Sequence, residues 1–302
     1  MSITTSSFAK ALWPGVNSWY GRAYDEIQPK WDKMFDKYTS RKNYEEDVGI
    51  SGFGLAPVKT EGQSIAYDSE RQAFIKRYTH VAYGLGFIVT REMFEDDLYD
   101  VVGQRKAKAL AFSMRQTKEV VAANVYNRAF TSTYVGGDGK ELLATDHPNL
   151  SGGTYANELT TAADISEASL EQACIDISRM TNDRGLRIAL TPQGLILPPE
   201  LEFEATRILK STGQNDTANN ATNALRALGK FPKGVIVSPY LTDPDAWFIR
   251  TDCPDGMKYF ERRADEFDMD NDFDTENAKF KATARYSFGW TDPRALFGSP
   301  GA

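Results

Sequence analysis

The chain has 302 residues, with 35 Lys plus Arg against 42 Asp plus Glu and a formal net charge of −7. Apolar residues make up 41% and charged residues 25%, which fits a folded chain with a sizeable core and excludes a disordered tail, a collagen-like filament or a low-complexity protein. The acidic balance argues against a dedicated duplex-binding surface, and no apolar run approaches the roughly 18 residues of a membrane-spanning helix.

Met1 to Lys10 carry neither the basic nor the apolar region of an export signal, so an unexported chain is expected, with no disulfide between Cys174 and Cys253. The first 44 residues hold nine aromatics. Tyr20, Tyr24, Ile27, Trp31, Phe35 and Tyr38 recur at three- and four-residue steps, a helical stripe interrupted by Pro29. Two readings stay open: a helix packed on its own core, or an arm that buries its aromatic face on something else.

From Leu55 to Val89 the pattern predicts a hairpin. Ile65 and Tyr67 sit in one short run, while Val81, Tyr83, Leu85, Phe87 and Val89 alternate in another, with a polar tip at 68–72 between them. A lone hairpin is marginal in water, so this one needs a surface to lie on. The strongest local signal follows: Ala107, Leu110, Ala111, Met114, Val121, Ala122, Val125 and Ala129 keep helical spacing, with Lys118 the one miss. A helix over 104–130 would be about 40 Å long, nearly the span of a globule whose radius of gyration is roughly 19 Å, which suggests a flattened subunit.

A Gly-rich loop at 135–140 leads to a mixed block. Ser166 is a plausible N-cap for a helix over 170–180. Strands are expected at 186–190, 195–197, 235–237 and 246–250, a helix at 201–209, an exposed loop at 211–222, and a last strand at 279–288. Residues 252–274 carry nine acidic residues against Lys258, Arg262 and Arg263, almost the whole net charge.

Catalytic signatures are absent. His80 and His147 are the two histidines, neither Cys has a nearby His, and there is neither a Gly-x-Ser-x-Gly elbow nor a phosphate-binding Walker loop. Asp268-Met269-Asp270-Asn271-Asp272-Phe273-Asp274 resembles the start of a calcium loop, but the sixth position is Phe273 and the twelfth Lys279, where that loop needs Gly and Glu. Its acids read as a solvated edge, with weak divalent binding as the alternative.

Three phrases carry a resemblance. Lys281-Ala282-Thr283-Ala284-Arg285-Tyr286-Ser287-Phe288-Gly289-Trp290-Thr291-Asp292-Pro293-Arg294 resembles the carboxy-terminal phrase of tailed-phage major capsid proteins of the Mu-type head subunit group. Gly139-Lys140-Glu141-Leu142-Leu143-Ala144-Thr145-Asp146-His147-Pro148 and Tyr83-Gly84-Leu85-Gly86-Phe87-Ile88-Val89-Thr90-Arg91-Glu92, leading into Asp96-Asp97-Leu98, are similar again and fall in the family's order. The resemblance implies the Hong Kong ninety-seven capsid fold, an α+β fold. Its parts here would be an N-terminal arm (1–50), an extended hairpin loop (51–90), a peripheral domain with a spine helix (91–150, helix 104–130), an axial domain (151–251) and a return to the peripheral domain (252–302). Some members of this fold cross-link a hairpin lysine to a distant asparagine, but nothing here matches that chemistry, so it is not assigned to Lys59 or any Asn.

The implied function is a major capsid protein whose hexamers and pentamers build an icosahedral head around packaged double-stranded DNA, without sequence-specific binding, membrane, cofactor or metal. Expected partners are other copies of the chain and portal, scaffolding and decoration proteins, in the virion and, during assembly, the host cytoplasm. Candidate inter-subunit contacts are Trp13, Trp19, Tyr24 and Trp31 of the arm. In the hairpin they are Lys59, Glu61, Tyr67, Arg71, Phe74 and Arg77, whose charges are expected to pair between chains. Asp265 to Asp274 are expected on an inner-facing surface or beside another subunit's basic residues. The rival readings are a metal-assisted hydrolase using the 265–274 carboxylates and a phage tail or scaffold component.

Overall fold

A helix with a lysine on its buried side organises half of the molecule. The computed structural model describes residues 17–26, 28–95, 103–214, 221–271 and 277–302. The long helix α3 (Gln104–Asn127) buries Ala107, Leu110, Ala111, Met114, Ala122 and Tyr126, the face that the spacing marks. It stops three residues before the expected end at 130. Ala129 keeps the apolar spacing, but its N–H bonds Tyr126 in a turn and its carbonyl accepts from Leu143. Lys118 points inward as well. Its ammonium lies 5.1, 5.1 and 5.2 Å from the ring centres of Trp31, Tyr259 and Tyr286, and 3.9 Å from Glu261. Aromatic faces and one carboxylate replace its water.

The arm supplies part of that wall. Helix α1 (17–26) precedes a 3-10 turn, Trp31–Lys33, and strand β1 (Asp36–Thr39). Glu119 of α3 accepts the backbone N–H groups of Lys30 (2.7 Å) and Trp31 (3.2 Å), holding the turn that follows Pro29. Trp31, Met34 and Phe35 are buried in the main core. Of the two readings of the aromatic stripe, Tyr20, Trp31 and Phe35 follow the first and pack on their own subunit's core, but not on one helix. The stripe passes from α1 through the 3-10 turn to β1, where Tyr38 is exposed, and Ile27 lies outside the described residues.

Strands β10 (Met257–Asn271) and β11 (Ala278–Trp290) form the centre of a sheet ordered β1-β10-β11-β4, where β4 is Val81–Val89. In β11 Phe280, Ala282, Ala284 and Tyr286 alternate inward, facing α3. Phe87 of β4 stacks on Phe280 at 4.9 Å and Tyr83 on Tyr286 at 4.7 Å. Gly86 lies so close that a Cβ there would come 2.5 Å from the Phe280 carbonyl. The expected pairing of 65–67 with 81–89 is therefore corrected: the alternation of β4 is real, but its apolar face belongs to the core sheet.

The hairpin forms earlier, from β2 (Tyr44–Ser51) and β3 (Arg71–Thr79), and residues 52–70 join them without regular structure. After β4 come the short helix α2 (Arg91–Glu95) and α3. Asp96-Asp97-Leu98 lies outside the described residues. A small ladder, β5 (His147–Pro148) with β6 (Thr154–Tyr155), precedes the second half.

That half is built on the sheet β12-β9-β7-β8: β7 (Pro192–Leu197), β8 (Val235–Val237), β9 (Trp247–Thr251) and β12 (Leu296–Ser299). Both of its faces are buried, so its strands read as continuous apolar runs. Ile196, Phe248 and Leu296 face the main core, while Leu195, Leu197, Trp247, Ile249 and Phe297 face a second core under helices α4 (Glu167–Arg179), α5 (Glu202–Lys210) and α6 (Ala224–Leu228). Ser166 caps α4 as expected: its Oγ accepts from the Ser169 N–H, and Ser169 Oγ returns the favour to the Ser166 N–H.

Two expectations change here. Residues 186–190 make no strand beyond one bridge from Arg187 to Thr181, because Ala189 has a φ of 51°, which breaks an extended run. The 296–299 segment, within the 252–302 stretch assigned to the return to the peripheral domain, pairs with β9 and completes the second sheet. Of the expected loop at 211–222, residues 215–220 lie outside the described residues. Its base is closed by Gln214 donating to the Ala221 carbonyl at 2.9 Å.

Candidate functional site

Strand β2 of the hairpin turns its polar side inward. Glu45, Asp47 and Gly49 of β2 are half-buried, while Tyr44, Val48 and Ile50 are exposed, as is Ile75, the partner of Val48 across the ladder. Asp47 explains the inversion. It accepts from Lys258 Nζ and, at 2.6 Å, from Thr291 Oγ1, so it fastens the hairpin to β10 and to the carboxy-terminal phrase. Lys76 of β3 donates to the Val135 carbonyl at 2.7 Å and lies over the Trp290 ring. The Gly-rich loop packs closely enough that a Cβ on Gly137 would come 2.7 Å from the Ile75 carbonyl.

The exposed apolar face continues into the 52–70 segment, where Phe53, Leu55, Val58, Ile65 and Tyr67 are all exposed, Tyr67 to 95%. Lys59 and Glu61 are exposed beside them, as is Arg71, and among the described residues none of the three has an ion-pair partner. Arg77 differs from the expectation. Its Nε lies 3.5 Å from Glu46, and its guanidinium stacks over Tyr44 at 3.6 Å, so it pairs within the chain. Asp68 does likewise, with Arg184 at 2.6 Å. Phe74 is half-buried.

The arm residues also differ. Trp31 is 5% exposed and lies 4.4 Å from the Tyr259 ring, so it is an internal contact rather than one between subunits. Tyr24 packs on the main core, with the Arg115 guanidinium over its ring; burial pushes its hydroxyl up to about 12. Trp19 is half-buried against the small cluster of Val89, Ala107 and Phe280. Trp13 lies outside the described residues.

The acidic stretch divides. Asp265 faces inward and accepts the Tyr20 hydroxyl, while Glu266, Asp268 and Asp270 face outward. The register sets Asp268 opposite Lys281 and Asp270 opposite Lys279, so the acids are offset by lysines of the same chain. Asp272 and Asp274 lie outside the described residues. Among the described residues no three His, Cys, Asp or Glu side chains gather as a metal site.

Both histidines are buried and hydrogen-bonded within the subunit. His147 is fully buried: Nδ1 meets Asp138 at 2.6 Å and Nε2 donates to Asn157 Oδ1 at 3.1 Å. The Asn157 amide is oriented by its Nδ2, which donates to the carbonyls of Leu142, Pro293 and Leu296. Two of the quoted phrases thus meet through one side chain. Arg294, 6% exposed, is a second junction: it stacks on Tyr155 at 3.9 Å and donates to the Thr181 carbonyl and to Asp183. Sequence reasoning missed Asn157 and Arg294, since nothing near either residue marks it as buried. Cys174 and Cys253 are free thiols, and burial pushes both up.

The comparisons agree with this architecture. The chain matches the family described as phage capsid protein over residues 74–298, three quarters of its length. It belongs to the phage capsid protein family. Among solved structures it is similar to a virus-like particle from Pyrococcus furiosus (12% identity, 93% of this chain and 96% of that chain, TM-score 0.54). It is also similar to the capsid of a native GTA particle (13%, 91% and 91%, 0.53) and the procapsid of bacteriophage JBD30 (14%, 97% and 75%, 0.52). At these identities the likeness establishes the fold. Among curated proteins none matches significantly. The capsid subunit is a shell-forming structural protein of the virion rather than an enzyme. No helix among its described residues is long and apolar enough to cross a membrane.

Proposed function

We propose that the capsid subunit builds a closed icosahedral phage head of hexamers and pentamers around packaged double-stranded DNA, held without sequence-specific contacts. The observation that carries this reading is the inverted hairpin. Asp47 and Lys76 fasten it to its own subunit, while Val48, Ile50, Ile75 and the apolar side chains of 52–70 face outward. Burying each large side chain on a neighbour is worth about 1.5–3 kcal/mol before ordering costs. The first sheet and α3 form the peripheral domain, and the second sheet with α4 to α6 the axial domain.

Lysines opposite Asp268 and Asp270 keep that sheet face near neutral. A face of this kind suits a lining along which DNA must slide, since a basic lining would hold each phosphate. Assembly takes place in the host cytoplasm with scaffolding and portal proteins and, on the finished shell, a decoration protein. Negative-stain microscopy of expressed subunits, with and without scaffold, tests the reading. Closed shells of uniform diameter are expected; tubes would favour a tail component, and a monomer at high concentration would overturn the proposal.

A further inference from the structure

The 52–70 segment is pinched at its neck. Gly54 donates its N–H to Asp68 Oδ2 at 2.8 Å, tying its two legs together. One step closer to the strands, Ser51 Oγ donates to the Arg71 carbonyl at 3.1 Å and accepts the Arg71 N–H at 3.0 Å. Asp68 also accepts the Ser69 N–H (2.8 Å) and Arg184 Nη1 (2.6 Å), and Arg184 Nη2 donates to the Ser69 carbonyl. The amides of Gly54 and Ser69, then Arg184, hold the Asp68 carboxyl below the usual aspartate range, so the clamp stays charged.

Arg184 is itself held from below. Asn182 Oδ1 accepts the N–H groups of Arg184 and Leu186, both at 2.9 Å, in a turn where Gly185 has a φ of +78°. The same turn is fastened to the core by buried Arg294, which bonds Thr181 and Asp183, each at 2.9 Å. A continuous series of contacts therefore runs from the carboxy-terminal phrase to the neck of the segment. Such an exposed pair adds little to subunit stability. What it does change is the freedom of the nineteen residues beyond β2: with the neck fixed, the part left to order on a neighbour is 55–67.

We infer that Arg184 is a positioning residue for assembly: through Asp68 it holds the neck of the 52–70 segment on the turn at 181–187, so that the apolar tip 55–67 is presented to a second copy of this chain with its root already ordered. This rests on the shell reading above. The clamp lowers the ordering cost of the inter-subunit contact and persists in the shell.

The test compares Asp68→Ala, Arg184→Ala and the exchanged pair Asp68→Arg with Arg184→Asp. Thermal melting should match wild type in all three. Hydrogen exchange across 52–70 in unassembled subunits should rise in both single variants. Shell formation, followed by light scattering at equal concentration, should slow about fivefold in each single variant and recover in part in the exchanged pair. Wild-type rates in the single variants would overturn the inference. So would faster assembly, which would make the clamp a restraint, or an exchanged pair no better than the singles. If wild-type subunits form no shells, the shell reading fails and the positioning role goes with it; the wild-type control separates that outcome from a failure of the clamp alone.

Discussion

Tyr20 donates its hydroxyl to Asp265 at 2.5 Å, joining residues 245 apart in sequence. The Tyr20 ring stacks on Phe267 at 4.6 Å, so one side chain ties helix α1 to strand β10 by both a polar and an apolar contact. The other Asp265 oxygen is buried and has no partner. Burial pushes the Asp265 carboxyl up from the ordinary value of 3.8, against the bond from Tyr20 and the charge of Lys118, which pull it down.

Because the folded subunit favours protonated Asp265, its contribution is fully present below the ordinary aspartate value and is lost as pH rises through the raised one. Asp265→Asn should therefore melt higher than wild type at pH 7 and at the same temperature near pH 3. Tyr20→Phe should cost about 1–2 kcal/mol at pH 7 by stripping the carboxylate of its donor. Denaturant titrations at the two pH values check both.

His80 gives the opposite sign. Ser40 Oγ donates to Glu45 at 2.7 Å, so it accepts from His80 Nε2 at 3.1 Å, which leaves Nδ1 to accept from Ser287 Oγ at 3.0 Å. Burial, then the neighbouring Arg285, lowers the imidazole below the ordinary histidine value of 6.5. Stability is intact above that value and falls as pH drops toward the folded one, because the unfolded chain takes up the proton first. Melting should fall between pH 7.5 and pH 5.5, and the part due to His80 should vanish in His80→Gln.

Asn157 should tolerate no substitution. Asn157→Leu would take one donor from the carbonyls of Leu142, Pro293 and Leu296, and would remove the acceptor of the Ala144 N–H and of His147 Nε2, in a buried site. A loss of about 3 kcal/mol or more follows from several orphaned groups at 1–3 kcal/mol each. Soluble yield and thermal melting measure it; a variant melting like wild type would show that the junction is dispensable.

The tip should behave in the reverse way. Val58 and Tyr67 are exposed to 91% and 95%, so Val58→Ser with Tyr67→Ser should leave subunit melting unchanged and impair shell formation. Light scattering beside circular dichroism separates the two effects.

How much of this was legible in the sequence varies with how local the cause is. Helix α3 could be read because Ala107 to Ala122 share a face at helical spacing, and Lys118 broke the pattern because its three aromatic neighbours come from residues 31, 259 and 286. The hairpin was misplaced for a similar reason. Apolar Val48 and Ile50 face outward while Asp47 faces a lysine more than two hundred residues away, so inside-out periodicity misleads. Strand β10 was visible only as charge, although Phe267 and Met269 alternate with its acids. Of the arm aromatics offered as contacts between subunits, Trp31 is buried in the core of its own subunit.

The late position of β11 and β12 governs the order in which the molecule can come together. Strand β11 lies between β10 and β4, and β12 edges the second sheet beside β9, so on the ribosome the first layer is complete only once residue 290 has emerged and the second only once residue 299 has. Such distant pairings are slow to form. The nascent chain can display its hairpin, but it has no finished body from which to offer it, and premature association with earlier copies is delayed until synthesis of these strands is done.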